Sequence, residues 1–183
     1  MIFTETSIHG CYTIGCEPVK DERGIFYRTY DKSEFENKAI TKAFVQHNVS
    51  INRIKGTVRG MHYQQPPYAE AKLIQCISGR VYDVIVDLRK DSATFLKWIS
   101  VELSAEACNQ VWIPEGCAHG FQTLEDHSTL LYCHTAEYNK AAEAGIRADD
   151  PMIRVSFPLP IAAISERDKN HPLMEATFKG LEV

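Results

Sequence analysis

The sequence lacks the marks of a membrane or secreted protein. It has no run of about 20 apolar residues, the length that a membrane-spanning helix needs. Its first residues, MIFTETSIHG, hold neither a basic segment nor an apolar one, so we expect no signal peptide. No repeat, low-complexity tract or linker interrupts the 183 residues. We therefore expect one cytoplasmic domain over 1–183 with no membrane partner.

An excess of positive charge and closely spaced cysteines are also missing. Lys and Arg total 20 against 24 Asp and Glu, a net charge of −4, so the basic excess that coats nucleic acid is absent and we expect no nucleic-acid partner. The six cysteines include no CxxC pair, and a chain of this length is too poor in cysteine for a disulfide scaffold. We expect reduced, mostly buried thiols. An anionic ligand would need a few well-placed arginines.

Apolar and polar residues alternate along most of the chain after residue 44. This period of two is typical of strands and predicts about eight of them, at 44–51, 56–64, 72–77, 81–88, 97–103, 109–113, 119–124 and 128–138. Short strands at regular spacing indicate a sandwich or a barrel. One helix is predicted over 35–44, with Ser33 and Glu36 as its capping box. A second, short helix is expected around Glu166.

Polar side chains recur on one face of several of these strands. Such a face lies either in water or along a polar cavity. The apolar sequence around His62, His119 and Tyr132 favours a cavity. The residues that share such faces or open a strand are Gln46, Asn48, His62, Gln64, Lys72, His119, Tyr132, His134 and Tyr138.

Two stretches resemble the motifs of the cupins, which are double-sheet jelly rolls. GTVRGMHYQ (56–64) has a glycine six residues before a histidine, and PEGCAH (114–119) matches Pro-x-Gly-x-x-His. The resemblance implies an all-β cupin jelly-roll barrel, a double-stranded β-helix with a few short flanking helices. Many cupins hold a metal there, but Gln64 and Lys72 occupy two of the ligand positions, and an ammonium repels a divalent cation. We expect no metal and no other cofactor.

The chain resembles most closely the nucleotide-sugar epimerases of the dTDP-4-dehydrorhamnose 3,5-epimerase (RmlC-like) family. The similarity covers most of the chain, including DERGIF (21–26), RGMHYQ (59–64), WIPEGCAHGF (112–121) and SERD (165–168). It implies an isomerase that inverts C3, C5 or both in a nucleoside-diphosphate 4-keto-6-deoxy sugar through an enolate. The reaction type is dTDP-4-dehydro-6-deoxyglucose to dTDP-4-dehydrorhamnose, a step in the synthesis of rhamnose for surface polysaccharides.

The resemblance also assigns catalytic roles. His62 matches the base, a group whose pKa lies near neutral pH, and Asp168 matches the carboxylate that pairs with it. Lys72 matches the donor that stabilises the enolate oxygen. Tyr132 matches the acid on the opposite face of the sugar, because a phenol stays protonated at neutral pH.

Further residues match substrate-binding positions of the family. Arg23 and Arg59 would bind the diphosphate, since the guanidinium fork suits phosphate. Arg23 and Phe26, in an N-terminal arm over about 1–30, would reach the nucleotide of a neighbouring subunit, which implies a homodimer. The complete set expected to bind substrate is Arg23, Phe26, Arg28, Gln46, Asn48, Arg59, His119, Tyr138 and Glu143.

Arg28 departs from the family's pattern, which usually has glutamate there. A carboxylate accepts the N3–H of thymine, whereas a guanidinium only donates. Arg28 therefore fits either a base such as cytosine or a phosphate, and a CDP- or GDP-linked hexose or heptose is the alternative substrate. A metal-dependent cupin enzyme and a non-catalytic cupin that binds sugar nucleotides are the competing functions.

Overall fold

The alternating segments pair into antiparallel sheets in the computed structural model, which describes residues 1–183. The strands are β1 (Ile2–Glu5), β2 (Tyr12–Gly15), β3 (Val19–Asp21), β4 (Gly24–Phe26), β5 (Gln46–Asn52), β6 (Val58–Gln64), β7 (Lys72–Ser78), β8 (Arg80–Asp87), β9 (Trp98–Ser104), β10 (Asn109–Ile113), β11 (Cys117–Thr123), β12 (Ser128–His134) and β13 (Glu143–Gly145). The helices are α1 (Lys32–Glu36) and α2 (Glu166–Lys169).

Two larger sheets pack face to face, and a hairpin stands apart from them. The first sheet has six strands in the order β1-β2-β10-β7-β12-β5. The second has five strands in the order β13-β6-β11-β8-β9, and β3 and β4 pair only with each other. The result is an all-β jelly roll with two short helices, as predicted. No helix in this fold is long and apolar enough to cross a bilayer.

The space between the sheets is apolar at one end and polar at the other. On β7 the inner face runs from Cys76 and Ile74 to Lys72, and on β12 it runs from Leu130 to Tyr132. The apolar end is a cluster of buried residues from both sheets: Ile8, Cys11, Ile74, Cys76, Val81, Ile85, Leu103, Val111, Ile113, Cys117, Phe121 and Leu130. Burial of this cluster positions the polar end, because both sit on the same strands.

The strand predictions are confirmed in the main but incomplete. All eight predicted strands are present, with their ends shifted by up to four residues; β12 ends at His134, so Tyr138 lies in the loop beyond it. Five further strands, β1 to β4 and β13, were not predicted. Each has only three or four residues, too few for an alternation to stand out from the surrounding sequence.

The first helix differs from its prediction, whereas the second is confirmed. Asp31, not Ser33, is the N-cap of α1 and accepts hydrogen bonds from the backbone of residues 33 and 34. The helix ends at Glu36, and Ala39 adopts a positive φ of 60°, which stops any continuation. The predicted helix over 35–44 was therefore wrong in its length and its cap. All six cysteines are free, and five are buried.

Candidate active site

A cavity of about 320 Å³ occupies the polar end between the two sheets. The first sheet supplies one wall from β5, β7 and β12, and the second supplies the facing wall from β6 and β11. The polar faces therefore line a cavity, and Asn48 and Tyr138 are exposed at its open edge. The predicted site residues that line it are Asn48, Arg59, His62, Lys72, His119, Tyr132, Tyr138 and Glu143.

A bulge in β6 brings Arg59 and His62 to the same cavity. Strict alternation would place residues three apart on opposite faces. Here His62 pairs with His119 and Arg59 pairs with Phe121, so the register shifts between the two pairs. Gly60 allows this: its φ is +101°, and a Cβ there would collide with the backbone of His119.

His62 is held by a buried carboxylate. Its Nε2 lies 2.8 Å from Oδ1 of Asp168, a residue that is 3% exposed. The other oxygen of Asp168 accepts a hydrogen bond of 3.0 Å from the backbone N–H of Gly60. Burial alone would raise the pKa of Asp168, but the hydrogen bonds from His62 and Gly60 hold it well below its usual value. The carboxylate therefore stays ionised and can stabilise a protonated His62.

The short helix α2 delivers Asp168 to this position. Ser165 caps the helix, and its hydroxyl accepts a hydrogen bond of 3.0 Å from the backbone N–H of Asp168. This contact follows the N-cap pattern, in which a serine side chain satisfies a free N–H of the first turn. The motif SERD therefore acts as a local turn that places its aspartate against the cavity wall.

A row of hydrogen bonds crosses the mouth of the cavity. The hydroxyl of Tyr138 donates to Glu143 at 3.0 Å, and Arg167 donates to the other oxygen of Glu143 at 2.7 Å. A second nitrogen of Arg167 lies 3.0 Å from Nε2 of His62. Gln46 joins the row by accepting from the backbone N–H of Tyr138 at 2.9 Å. The entrance beside His62 is thus ordered by charge-assisted bonds.

Lys72 lies in a buried cluster of charged and titratable groups. Its Nζ is 3.2 Å from Oε1 of Glu70 and donates to the backbone oxygen of His62 at 3.3 Å. Oε2 of Glu70 lies 2.8 Å from Nδ1 of His134. Burial alone would raise the pKa of Glu70, but its bonds to His134 and Lys72 lower it, so this carboxylate is ionised and keeps the ammonium in the cavity.

Tyr132 stands on the wall opposite His62, because β12 belongs to the first sheet and β6 to the second. Its ring stacks on His134 with centroids 5.9 Å apart and meets His119 edge-on at 5.8 Å. Burial, together with the negative charge of Asp83, raises the pKa of Tyr132. The hydroxyl therefore keeps its proton at neutral pH.

Asp83 and His119 form a second histidine–aspartate pair deeper in the cavity. Nε2 of His119 lies 2.7 Å from Oδ1 of Asp83, which is fully buried. Burial raises the pKa of this carboxyl, and the charge of His119 offsets that only in part. The pair holds the His119 ring against Tyr132.

Three predicted binding residues do not lie at the cavity. Arg23 makes an ion pair with Asp21 inside the β3–β4 hairpin, and Phe26 on β4 is exposed. Arg28 donates to Asp31, the N-cap of α1, at 2.9 Å. Within a single chain this arm therefore contributes nothing to the site.

Sequence reasoning placed His134 on a polar strand face without giving it a role, and it missed three further residues that the fold adds to the site: Glu70, Asp83 and Arg167. His134 shares the face of Tyr132 by alternation, and Asp83 shares the inner face of Val81 and Ile85, so both carried a signal. Glu70 and Arg167 lie outside any strand, where no alternation indicates a direction. Only the tertiary contacts identify them.

The positions that hold a metal in many cupins do not fit one here. Gln64 is buried and bonds to two loops, donating to the backbone oxygens of Tyr68 after β6 and of Glu137 after β12. Lys72 brings an ammonium to the position of a ligand carboxylate. A cation at that point would meet like charge.

Comparisons with known proteins agree on one family. The family model described as dTDP-4-dehydrorhamnose 3,5-epimerase matches residues 5–176. The dTDP-4-dehydrorhamnose 3,5-epimerase of Salmonella typhimurium is 39% identical over 177 residues, 96% of each chain. The structure of dTDP-6-deoxy-D-glucose-3,5-epimerase from Legionella pneumophila, in complex with dTDP-4-keto-L-rhamnose, is 34% identical with a TM-score of 0.91 and covers 100% of this chain and 98% of that chain. A 3′-monoepimerase from Streptomyces bikiniensis, in complex with dTDP-quinovose, is 31% identical with a TM-score of 0.84 over 91% and 85% of the two chains.

Proposed function

Since the chain belongs to the dTDP-4-dehydrorhamnose 3,5-epimerase family, we propose that the cavity between its two sheets is the active site and that His62, Lys72 and Tyr132 do the chemistry. The protein is an isomerase that epimerises a nucleotide sugar. The carbons beside the C4 ketone of such a sugar carry acidified protons. Inversion requires a base on one face, an acid on the other and a donor for the enolate oxygen.

The proposed base is His62. Its Nε2 faces Asp168 and Arg167, so Nδ1 is the ring nitrogen with no partner in the chain. This nitrogen takes the proton from carbon, and the ionised Asp168 stabilises the imidazolium that results, as in other His–Asp pairs. Asp168 itself holds the ring through its short hydrogen bond and keeps no proton.

Residues on the first sheet, opposite His62, stabilise the enolate and return a proton to it. Charge that develops on O4 is stabilised by the ammonium of Lys72, which burial and Glu70 keep in place. Tyr132 then gives its phenolic proton to the carbon from the opposite face; to complete the cycle the tyrosinate regains a proton from solvent and the His62 imidazolium releases one to solvent. The observation that carries this assignment is that His62 and Tyr132 stand on opposite sheets around one cavity.

Exchange in D₂O tests the proposal directly. Incubated with dTDP-4-dehydro-6-deoxyglucose, the enzyme should incorporate deuterium at the inverted carbons, followed by NMR. A chain that binds the sugar nucleotide without any incorporation would be the non-catalytic cupin instead. Exchange that depends on stoichiometric iron, manganese or zinc would favour the metal-dependent enzyme. Neither result is expected, because the cavity holds a base, an acid and a cation of its own.

The nucleotide is proposed to be dTDP, the one named in the relatives' complexes. Arg28 does not argue against it here, since its guanidinium is engaged by Asp31. Turnover of the dTDP-, CDP- and GDP-linked 4-keto sugars should favour dTDP clearly. A preference for CDP would instead assign Arg28 to base recognition.

Both carbons are proposed to be inverted, although the fold also serves one-centre enzymes. A 3′-monoepimerase shares the architecture at a TM-score of 0.84. The family model and the Salmonella relative bear the 3,5-epimerase description, which favours two centres. Deuterium at C3 alone, with C5 unchanged, would contradict this.

We also propose that the chain works as a homodimer, with its arm over about 1–30 reaching the partner's site. Exposed apolar residues support this: Phe26 on the arm, Val45 just before the edge strand β5, and Val49 and Ile51 on that strand. Light scattering should give the mass of two 20.7 kDa chains. Ile51→Asp should release monomers, whereas Ile161→Asp, an exposed apolar position outside the arm and β5, should not. A monomeric wild type would rule the dimer out.

A further inference from the structure

Three side-chain atoms that could bind a metal lie close together, one on the proposed base His62 and two on the neighbouring Asp168 and His171. Nε2 of His62 lies 2.8 Å from Oδ1 of Asp168, and Nε2 of His171 lies 3.8 Å from the same oxygen. All three atoms lie within 4.8 Å of one another. The reaction proposed above uses the first two and leaves His171 without a role.

His171 is packed against this point without any hydrogen bond that explains its position. Its side chain is 14% exposed, and its Nε2 is buried with no hydrogen-bond partner. A buried polar atom without a partner is costly, so a native structure rarely keeps one without a reason. The atom points to the side of the cluster where His62 and Asp168 present their own donor atoms.

The backbone next to the cluster leaves room for this imidazole. Gly145 on β13 pairs with His62 on β6, so the two residues are neighbours across the sheet. A Cβ at position 145 would collide with the ring of His171. The glycine therefore gives His171 its place, with its ring centroid 5.9 Å from that of His62 at an interplanar angle of 75°.

We propose that His62, Asp168 and His171 form a binding site for a divalent transition-metal ion of the zinc type, and that the ion inhibits the enzyme because it binds Nε2 of His62, which leaves Nδ1 protonated and unable to accept the proton of the substrate. Inhibition rests on the proposed function, whereas metal binding does not. Two imidazoles and one carboxylate are a donor set that Zn²⁺ prefers. Bonds of roughly 2.0–2.1 Å in a tetrahedron place donors about 3.3 Å apart, between the 2.8 Å and 3.8 Å that separate Oδ1 of Asp168 from the two imidazole nitrogens.

Arg167 sets the strength of the site. Its guanidinium lies 3.0 Å from Nε2 of His62 and 3.4 Å from Oδ1 of Asp168, so a bound cation meets like charge there. The Arg167 side chain is 52% exposed and is already bonded to Glu143, so it can turn away from the cluster. The site is therefore accessible to a metal but opposed by charge, as suits a reversible inhibitor.

Calorimetry with Zn²⁺ tests the site independently of catalysis. The wild type should bind one equivalent, and His171→Gln, which keeps the volume but not the imidazole, should weaken binding by at least about 10-fold. His171→Ala serves as a second variant, and thermal unfolding verifies that each is folded. His9→Ala removes a histidine whose side chain is 92% exposed and should bind as the wild type does. Equal affinity in the wild type and both His171 variants would overturn the proposal.

The same variants test inhibition and the identity of the ligands. Zn²⁺ should suppress deuterium exchange in the wild type and in His9→Ala, and EDTA should restore it. His171→Gln should keep its basal exchange and lose the sensitivity. Arg167→Gln should bind Zn²⁺ about 10-fold more tightly, and unchanged affinity would contradict the placement of the ion. A Co²⁺ spectrum with a thiolate charge-transfer band would assign the metal to cysteine and also overturn the site. If no substrate is turned over, calorimetry still decides metal binding.

Discussion

Two histidine–aspartate pairs stand side by side in this protein, and their surroundings give them different properties. His62 and His119 are cross-strand neighbours on β6 and β11. Each contacts a buried aspartate, Asp168 at 2.8 Å and Asp83 at 2.7 Å. The side chain of His62 is 28% exposed at the cavity mouth, whereas that of His119 is 5% exposed.

The two carboxyl groups titrate in opposite directions for a reason that the contacts make clear. Both are desolvated, which raises the pKa of a carboxyl. Asp168 accepts hydrogen bonds on both oxygens, and its pKa falls. Asp83 is bonded through one oxygen only, its Oδ2 has no partner, and its pKa rises. The deeper burial of Asp83 and the smaller number of hydrogen bonds to it, and not the pairing itself, thus give the two carboxyl groups opposite pKa shifts.

The largest expected effect separates the two histidines. His62→Gln keeps a hydrogen bond to Asp168 but cannot carry the proton, so deuterium exchange should fall by about 10²–10⁴-fold. His119→Gln should lose less than about 10-fold, the worth of one hydrogen bond. Exchange rates by NMR, with circular dichroism as the folding control, compare the variants. Equal losses would mean that His119 also transfers protons.

A smaller and more selective effect is expected at Tyr132, the ring that the second pair supports. Tyr132→Phe removes the acid but not the base, so inversion should fall by roughly 10²-fold while deuterium wash-in is spared in comparison. Tyr82→Phe, on the outer face of the second sheet, is the matched control and should change neither. The ratio of inverted product to incorporated deuterium measures the split. Equal loss of both would place base and acid on the same face.

The smallest effect concerns stability against acid. The folded-state pKa of Asp168 lies below the ordinary value of 3.8, so its contribution is present above that pH and is lost as the pH falls through the folded pKa. Asp168→Asn should cost about 1–3 kcal/mol in the free energy of unfolding at pH 7 and flatten its decline in acid.

Asp83→Asn is the matched comparison for that experiment. The raised pKa of Asp83 means that folding disfavours its ionised form relative to the unfolded chain. A neutral amide there should cost less at pH 7 than Asp168→Asn does, and it should not flatten the acid decline. Urea unfolding from pH 7 to pH 3 measures both. A larger loss for Asp83→Asn would reverse the ranking of the two pairs.

Much of the fold could be predicted because successive side chains of the long strands point to opposite faces of a sheet. β7, β8 and β12 each bury one row of side chains between the sheets. A register shift of one residue would expose the apolar side chains of that row to water, so the pattern fixes the register. The shorter strands β1 to β4 carry too few residues for such a row. The error at α1 has a local cause, since Asp31 caps the helix in place of Ser33 and the chain leaves the right-handed helical region at Ala39.

Only the site residues that belong to recognisable motifs could be predicted from the sequence. RGMHYQ and SERD identify His62 and Asp168, although 106 residues separate them. Arg59 was expected from the same motif, but the bulge that turns it into the cavity depends on Gly60 packing against the neighbouring strand. Glu70 enters through its bond to His134, a contact between separate elements.

The sequence by itself determined the all-β class, the family and the residue types of the chemistry, because alternation and motif spacing are properties of neighbouring residues. Only the tertiary structure decided which of two histidine–aspartate pairs is open to a substrate and how each carboxyl titrates. Those properties depend on burial and on hydrogen bonds from distant backbone, such as the N–H of Gly60 on Asp168. Tertiary packing also places His171 beside His62, and no motif in the sequence predicts that contact.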